Sequence, residues 1–136
     1  MSGFLLDTSV ISELVRPRPE PKVVAFIDAT SESLLYLSVL TLGEIRKGIS
    51  ALPATSRRIS LETWLDDDLA LRFFGRILPI DQSVADRWGR ISAQQAIPVI
   101  DGLLAATALQ HNLTLVTRNT KDVAATGVAV FNPWTN

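Results

Sequence analysis

The sequence predicts a single α/β domain, a mostly parallel five-stranded sheet flanked by helices, on three observations. Short apolar runs alternate with longer amphipathic stretches along the chain, the pattern of strands joined by crossover helices. No linker, repeat or low-complexity tract divides the 136 residues, so residues 1–136 read as one domain. Hydrophobic residues make up 47% and charged residues 20%, which suits strands covered on both faces and excludes a disordered chain.

The elements follow in order. Phe4 to Leu6 is a strand, and Thr8 to Val15 a helix that stops before Pro17. The Pro17, Pro19, Pro21 cluster separates it from a helix over about Lys22 to Ala29. Leu34 to Leu37 is the second strand, followed by a helix from Val39 to about Ala51 with Leu42, Ile45, Ile49 and Leu52 as its core stripe. A long helical region, about Arg57 to Phe74, carries Leu61, Trp64, Leu65 and Leu69 on its apolar face. Ile77 to Ile80 is a weaker strand whose Pro79 places it at an edge, because proline cannot donate to the ladder. Helices follow over about Ser83 to Gln95 and Asp101 to Gln110, then strands Leu113 to Thr117 and Val128 to Phe131.

Composition removes several kinds of chemistry. The chain has no cysteine and one histidine, His111, read as a surface residue, so disulfides, thiol catalysis and the usual zinc sites are excluded. The longest run without a charge, Gly102 to Thr117, is sixteen residues and includes Gln110, His111 and Asn112; a bilayer span needs about 20 apolar residues. No basic leader opens the chain, and Asp7 and Glu13 interrupt its first apolar stretch. The expectation is a soluble, cytoplasmic protein.

Open parallel sheets place their sites beyond the carboxyl ends of their strands, which directs attention to four acids. Asp7 follows the first strand and opens a helix, so it is either an N-cap or, with Thr8 and Ser9 able to cap instead, free for chemistry. Glu44 flanks the core stripe beside Thr41 and Gly48. It is either a solvated partner of Lys47 or, with open space above Gly48, the wall of a cleft. Asp101 heads a helix apolar nearly all round, as a cap or a pocket residue. Read as an αβ unit, that helix starts near the bottom of the sheet unless its preceding loop carries it back over the top, and spacing alone leaves the choice open. Asp122 stands three residues after Asn119, the spacing of a capping box, just beyond the strand ending at Thr117. The run Asp66, Asp67, Asp68 reads as a solvated helix face, and Asp81 and Asp86 as acids about a helix start.

A cleft of carboxylates without histidine or cysteine suits a hard cation, Mg²⁺ or Mn²⁺, that keeps several waters and meets substrate phosphates. Such a cation activates water and neutralises charge developing on a phosphoryl group. Nuclease chemistry follows naturally from that.

The residues then show a resemblance. LLDTSVISEL (5–14), SVLTLGEIRKGI (38–49), IDGLLAATALQHNLTLVTRNTKDV (100–123) and VFNPW (130–134) resemble, in order and nearly end to end, the motifs of PIN-domain ribonucleases of the VapC and FitB toxin type. The resemblance implies a parallel sheet of order 3-2-1-4-5, with Asp101 reaching its top. It implies Asp7, Glu44 and Asp101 as core metal ligands and Asp122 as the fourth acid, supported by Thr117 and Asn119, with Thr8 orienting the site. It implies Mg²⁺ (Mn²⁺ possible) and hydrolysis of RNA by activated water to a 5′-phosphate and a 3′-hydroxyl. It also implies a homodimer held inactive by a small VapB-like antitoxin covering an apolar groove. Lys47, Arg118 and Arg46 are the candidate RNA phosphate contacts, with Arg46 pointing about 160° away from Glu44 around its helix and so better placed at a rim. Val123 stands where relatives often carry an aromatic residue.

Competing acid-site folds fit less well. A haloacid-dehalogenase-like phosphatase needs a second aspartate where Ser9 stands, and a receiver domain needs paired acids at the first strand and a late lysine. A catalytically idle PIN-like module binding RNA or a partner is the remaining alternative. The net charge of -1 averages unlike regions: apart from the four acids, ten acids face thirteen bases.

Overall fold

The computed structural model describes residues 2–135. β1 (Phe4–Leu6) leads into α1 (Thr8–Leu14), and α2 (Pro21–Ala29) follows the proline cluster. Next come β2 (Leu35–Ser38), α3 (Val39–Ser50) and α4 (Ser56–Thr63), which runs through a π-helical segment, Trp64–Leu69, into α5 (Ala70–Arg72). The chain finishes with β3 (Ile77–Leu78), α6 (Gln82–Ser92), α7 (Val99–Gln110), β4 (Thr114–Val116), α8 (Thr120–Val123) and β5 (Val130–Phe131). All strand pairings are parallel and the order is β3-β2-β1-β4-β5, so the strand before Pro79 is an edge.

The central strands are buried on both faces. Leu6 and Val116 point into the core beneath α1, α2, α3 and the π segment, while Leu5 and Leu115 point into a second core with Leu104, Ala105 and Ala108 of α7. Alternation along a strand sends neighbours to opposite faces, and helices on both sides accept them. Val123 is buried in that second core.

β1 falls where its apolar run announces it and β2 lies one residue later than its own, but the last three strands are shorter than their runs. β3 ends at Leu78, where Pro79 has no N–H to offer. Before β5, the Val128 N–H is turned to the Thr126 hydroxyl at 3.3 Å rather than to a neighbouring strand. The long helix also departs from expectation. Leu61, Leu65, Leu69 and Phe73 repeat every four residues, and the last three are buried. An α-helix rotates such a row by about 40° per step. The wider turn of a π segment rotates it back, so the row stays against the core. Asp66, Asp67 and Asp68 are all exposed within this segment, the solvated face the sequence indicates, and Asp66 pairs at the surface with Arg46 of α3.

The choice that spacing leaves open for the helix at Asp101 resolves at the top of the sheet. A helix joining parallel strands runs opposite to them, so its first turn lies at their carboxyl edge and its last at the foot of the next strand. α7 returns to β4 in this way. Gly3, just before β1, lets the chain approach closely: a Cβ there would stand 2.5 Å from the Leu34 carbonyl oxygen.

Candidate active site

The seat of Asp7 is built by the end of β1. Its backbone N–H extends the ladder to the Val116 carbonyl at 2.9 Å, and its own carbonyl receives the Val10 N–H at 3.0 Å to open α1. The backbone is extended at Asp7, the N-cap position, yet its side chain makes no capping bond. Instead the carboxylate, 5% exposed, receives the Ser9 hydroxyl at 2.9 Å and the Thr117 hydroxyl at 2.7 Å, both on Oδ2. Oδ1 receives neither. Thr117 is itself fixed, because its oxygen accepts the Asn119 N–H at 3.0 Å.

Glu44 arrives from the neighbouring strand. The Ser38 hydroxyl accepts the Leu40 N–H at 3.0 Å and starts α3 directly after β2, which places Glu44 in the second turn. The Thr8 hydroxyl donates to Glu44 Oε1 at 2.6 Å and lies 3.4 Å from the Thr41 hydroxyl. Among the described residues Lys47 forms no ion pair with Glu44. Nothing lies within 4 Å of a Cβ built on Gly48, which is the open space the sequence indicates. A groove of about 180 Å³ starts at Thr8 and Glu44 and runs past Gly48 between Val15, Leu52 and Trp64.

Asp101 is the third residue of α7, which begins at Val99 behind Pro98 without any side-chain cap. The capping role is therefore unused, and the half-buried carboxyl is free. Gly102 beside it packs against the Trp88 indole, where a Cβ would come within 3.1 Å. Asp122 lies exposed on α8, and Asn119 makes no side-chain cap, so the capping-box reading is not realised. Burial pushes the Asp101 carboxyl up to about 6, and the charges of Asp7, Asp122 and Glu44, with a hydrogen bond to Asp122, push in the same direction. Asp7, Asp122 and Glu44 are thus near enough to Asp101 to be felt by its charge at the carboxyl edge of the sheet.

Of the three basic candidates, Lys47 is exposed beside the groove, and Arg118 lies over the Trp134 ring at 4.9 Å. Arg46 is occupied by Asp66 on the far side of α3, in keeping with its rim direction. Three residues were not singled out from the sequence. Ser9 follows Asp7 by two, a spacing at which a hydroxyl reaches a neighbouring acid. Thr41 shares the helix face of Glu44 three residues on. Glu13 is 5% exposed, and a helical wheel already turns it toward Val10, on the inward side of α1.

The donor set fits a hard divalent cation. Burial first, and then the charges of Asp7, Asp122 and Glu44, raise the proton affinity of Asp101, a penalty that a cation would relieve. Among the described residues no three acidic or imidazole groups close on a single point as the side chains stand. Mg²⁺ is usually held by one or two carboxylates and keeps several waters, so such a spread is compatible with it. The free Oδ1 of Asp7 and the second oxygen of Glu44 are the atoms best prepared to ligate.

Acids at the carboxyl edge of a parallel α/β sheet suit a hard divalent cation and phosphate chemistry. The PIN-domain family model matches residues 4–127, and the chain belongs to that family. It is 42% identical to the toxin FitB of Neisseria gonorrhoeae over 96% of this chain and 98% of that protein. It is 38% identical to the VapC ribonuclease Y4jK of Sinorhizobium fredii, over 96% and 97%. The crystal structure of FitAcB from Neisseria gonorrhoeae superposes with a TM-score of 0.92 at 41% identity, covering 98% of this chain and 99% of that one.

Proposed function

We propose that this chain is a divalent-metal-dependent endoribonuclease and the toxin of a toxin–antitoxin pair. The observation that carries the reading is the Asp7 carboxylate, buried at the carboxyl end of β1 and held on one oxygen by Thr117 and Ser9, beside Glu44 held by Thr8, with Asp101 and Asp122 at the same edge. A Mg²⁺ ion (or Mn²⁺) held there supplies an activated water and neutralises phosphate charge. Asp7 and Glu44 would hold it, with Asp101 and Asp122 completing the set. Thr117 and Ser9 fix the rotamer of Asp7, Thr8 fixes that of Glu44, and Asn119 holds Thr117 through its backbone. Without the cation, four carboxylates repel an RNA phosphate. A cation held by these acids would offset that repulsion, and hydrolysis by water there would leave a 5′-phosphate and a 3′-hydroxyl.

The apolar groove that begins at Thr8 and Glu44 is the seat we assign to an antitoxin segment, since a chain laid along it would end at the acids. The relatives' designations as a toxin and a ribonuclease support both halves of the reading. A homodimer and a cytoplasmic location accompany it. Among the described residues no helix is long and apolar enough to cross a membrane.

The test is Asp7→Asn. The wild type should cleave single-stranded RNA with Mg²⁺ or Mn²⁺ and stop in EDTA, and the variant should fold normally yet cleave at least 100-fold more slowly, about 3 kcal/mol of lost transition-state stabilisation. Full activity in the variant refutes the site. A wild type inert on all RNA in either metal favours the idle binding module.

A further inference from the structure

Beyond the four acids, the carboxyl edge carries a second constellation. A cleft of about 370 Å³ is lined by Glu13, Arg16, Arg18, Glu20, Arg118 and Trp134, with Pro19 and Pro21 in its wall. It lies over the ends of β4 and β5, and it borders the acid site by one residue. Thr117, whose hydroxyl holds Asp7, also accepts the Asn119 N–H, and this tight turn leaves Arg118 exposed between them.

The floor of the cleft is rigid. The buried Glu13 carboxylate accepts the Glu20 N–H at 2.9 Å and Arg16 at 3.2 Å. Those contacts, the Glu20 bond foremost and Trp134 contributing least, hold it below the usual carboxylate range. Glu13 therefore neutralises Arg16 and pins the proline-rich loop through the Glu20 N–H. Arg18, between Pro17 and Pro19, and Arg118 remain exposed, and neither forms an ion pair among the described residues. A free guanidinium beside an aromatic face is what nucleobase stacking and phosphate contact require together.

We propose that this cleft binds the RNA strand next to the scissile phosphate, with Arg18 and Arg118 on backbone phosphates and the Arg118–Trp134 stack as platform for a flanking base. The inference rests on the ribonuclease reading and deepens it by assigning a strand path. Glu13 is a positioning residue in this arrangement.

Two measurements test it. In the Asp7→Asn background, binding of a labelled single-stranded oligoribonucleotide is followed by fluorescence anisotropy against salt. Arg18→Ala and Arg118→Ala should each weaken binding about 3- to 10-fold and lower the salt slope by about 0.7, the value for one lost phosphate contact on a single strand. Arg118→Lys should restore the slope but not the full affinity, because lysine keeps the charge without the planar stack. In the active protein the same alanine variants should raise KM with kcat within about twofold, since uniform binding is lost. Arg90→Ala, which removes an equal charge from α6, should change neither.

Wild-type affinity and KM in Arg18→Ala and Arg118→Ala overturn the inference, as does an equal loss in Arg90→Ala. Normal cleavage with weakened inhibition by a co-purified antitoxin overturns it too, making the cleft a protein surface. A wild type that cleaves no RNA is the separate failure of the ribonuclease reading; RNA binding that still depends on Arg18 and Arg118 would then support the strand path.

Discussion

Asp101→Asn separates stability from activity. The aspartate carboxyl is raised from 3.8 to about 6. Because the folded value exceeds the unfolded one, the carboxyl's contribution to stability is complete below 3.8 and is lost as pH rises through about 6. At neutral pH the ionised group therefore burdens the fold. A rise of that size is worth about 3 kcal/mol for a fully buried group, and solvent screening of a half-buried one reduces the expected burden to about 1–2 kcal/mol. Asparagine keeps the shape without the charge. In EDTA at neutral pH the variant should be more stable than wild type by about 1–2 kcal/mol in urea titration, or several degrees in Tm. The difference should shrink steadily as pH falls toward about 4, where the native carboxyl is protonated. Mg²⁺ should raise wild-type stability more than the variant's, and RNA cleavage should be lost in the variant. A variant no more stable than wild type at neutral pH, or a gap that ignores pH, would refute the burden that burial first, and the neighbouring acids after it, place on the Asp101 charge.

Three further outcomes are expected. Thr117→Val removes a buried donor to Asp7 Oδ2, so cleavage should fall about 10-fold or more and the metal requirement should rise, with a stability loss of about 1–2 kcal/mol; unchanged metal dependence would show that Ser9 alone suffices. Phe73→Ala empties a fully buried site beneath the Arg72 and Arg76 guanidinium groups, which lie 5.4 and 5.0 Å from its ring, and should cost about 3–5 kcal/mol by urea denaturation. Gly3→Ala drives a methyl against the Leu34 carbonyl and should cost about 1–3 kcal/mol, whereas Gly43→Ala, with open space around it, should be neutral or slightly stabilising.

Much of the fold is legible in the residues. Strand–helix alternation gives the layers, Pro79 gives the edge, and the carboxyl-end rule picks out Asp7 and Asp122. Periodicity does not reveal the π segment, because the row Leu61, Leu65, Leu69, Phe73 is compatible with an ordinary helix until its drift is weighed against a flat core. Nor does spacing say that Asp7, Asp101 and Asp122 decline their capping roles. That depends on hydroxyls brought from elsewhere, Thr117 to Asp7 and Thr8 to Glu44, and on the direction in which α7 crosses the sheet. Glu13 passes for a charged interruption in the sequence because its partners, the Glu20 N–H and Arg16, sit in a loop whose course only the fold defines.

The bond between Thr117 and Asp7 joins positions 110 residues apart. During synthesis at roughly 5–20 residues per second, Thr117 therefore follows Asp7 by about 5–20 s. Until then the Asp7 carboxylate lacks this donor. The residues that line the groove beside Glu44, from Thr8 to Trp64, are all made before Thr117, so the groove precedes the completed acid site in the order of synthesis.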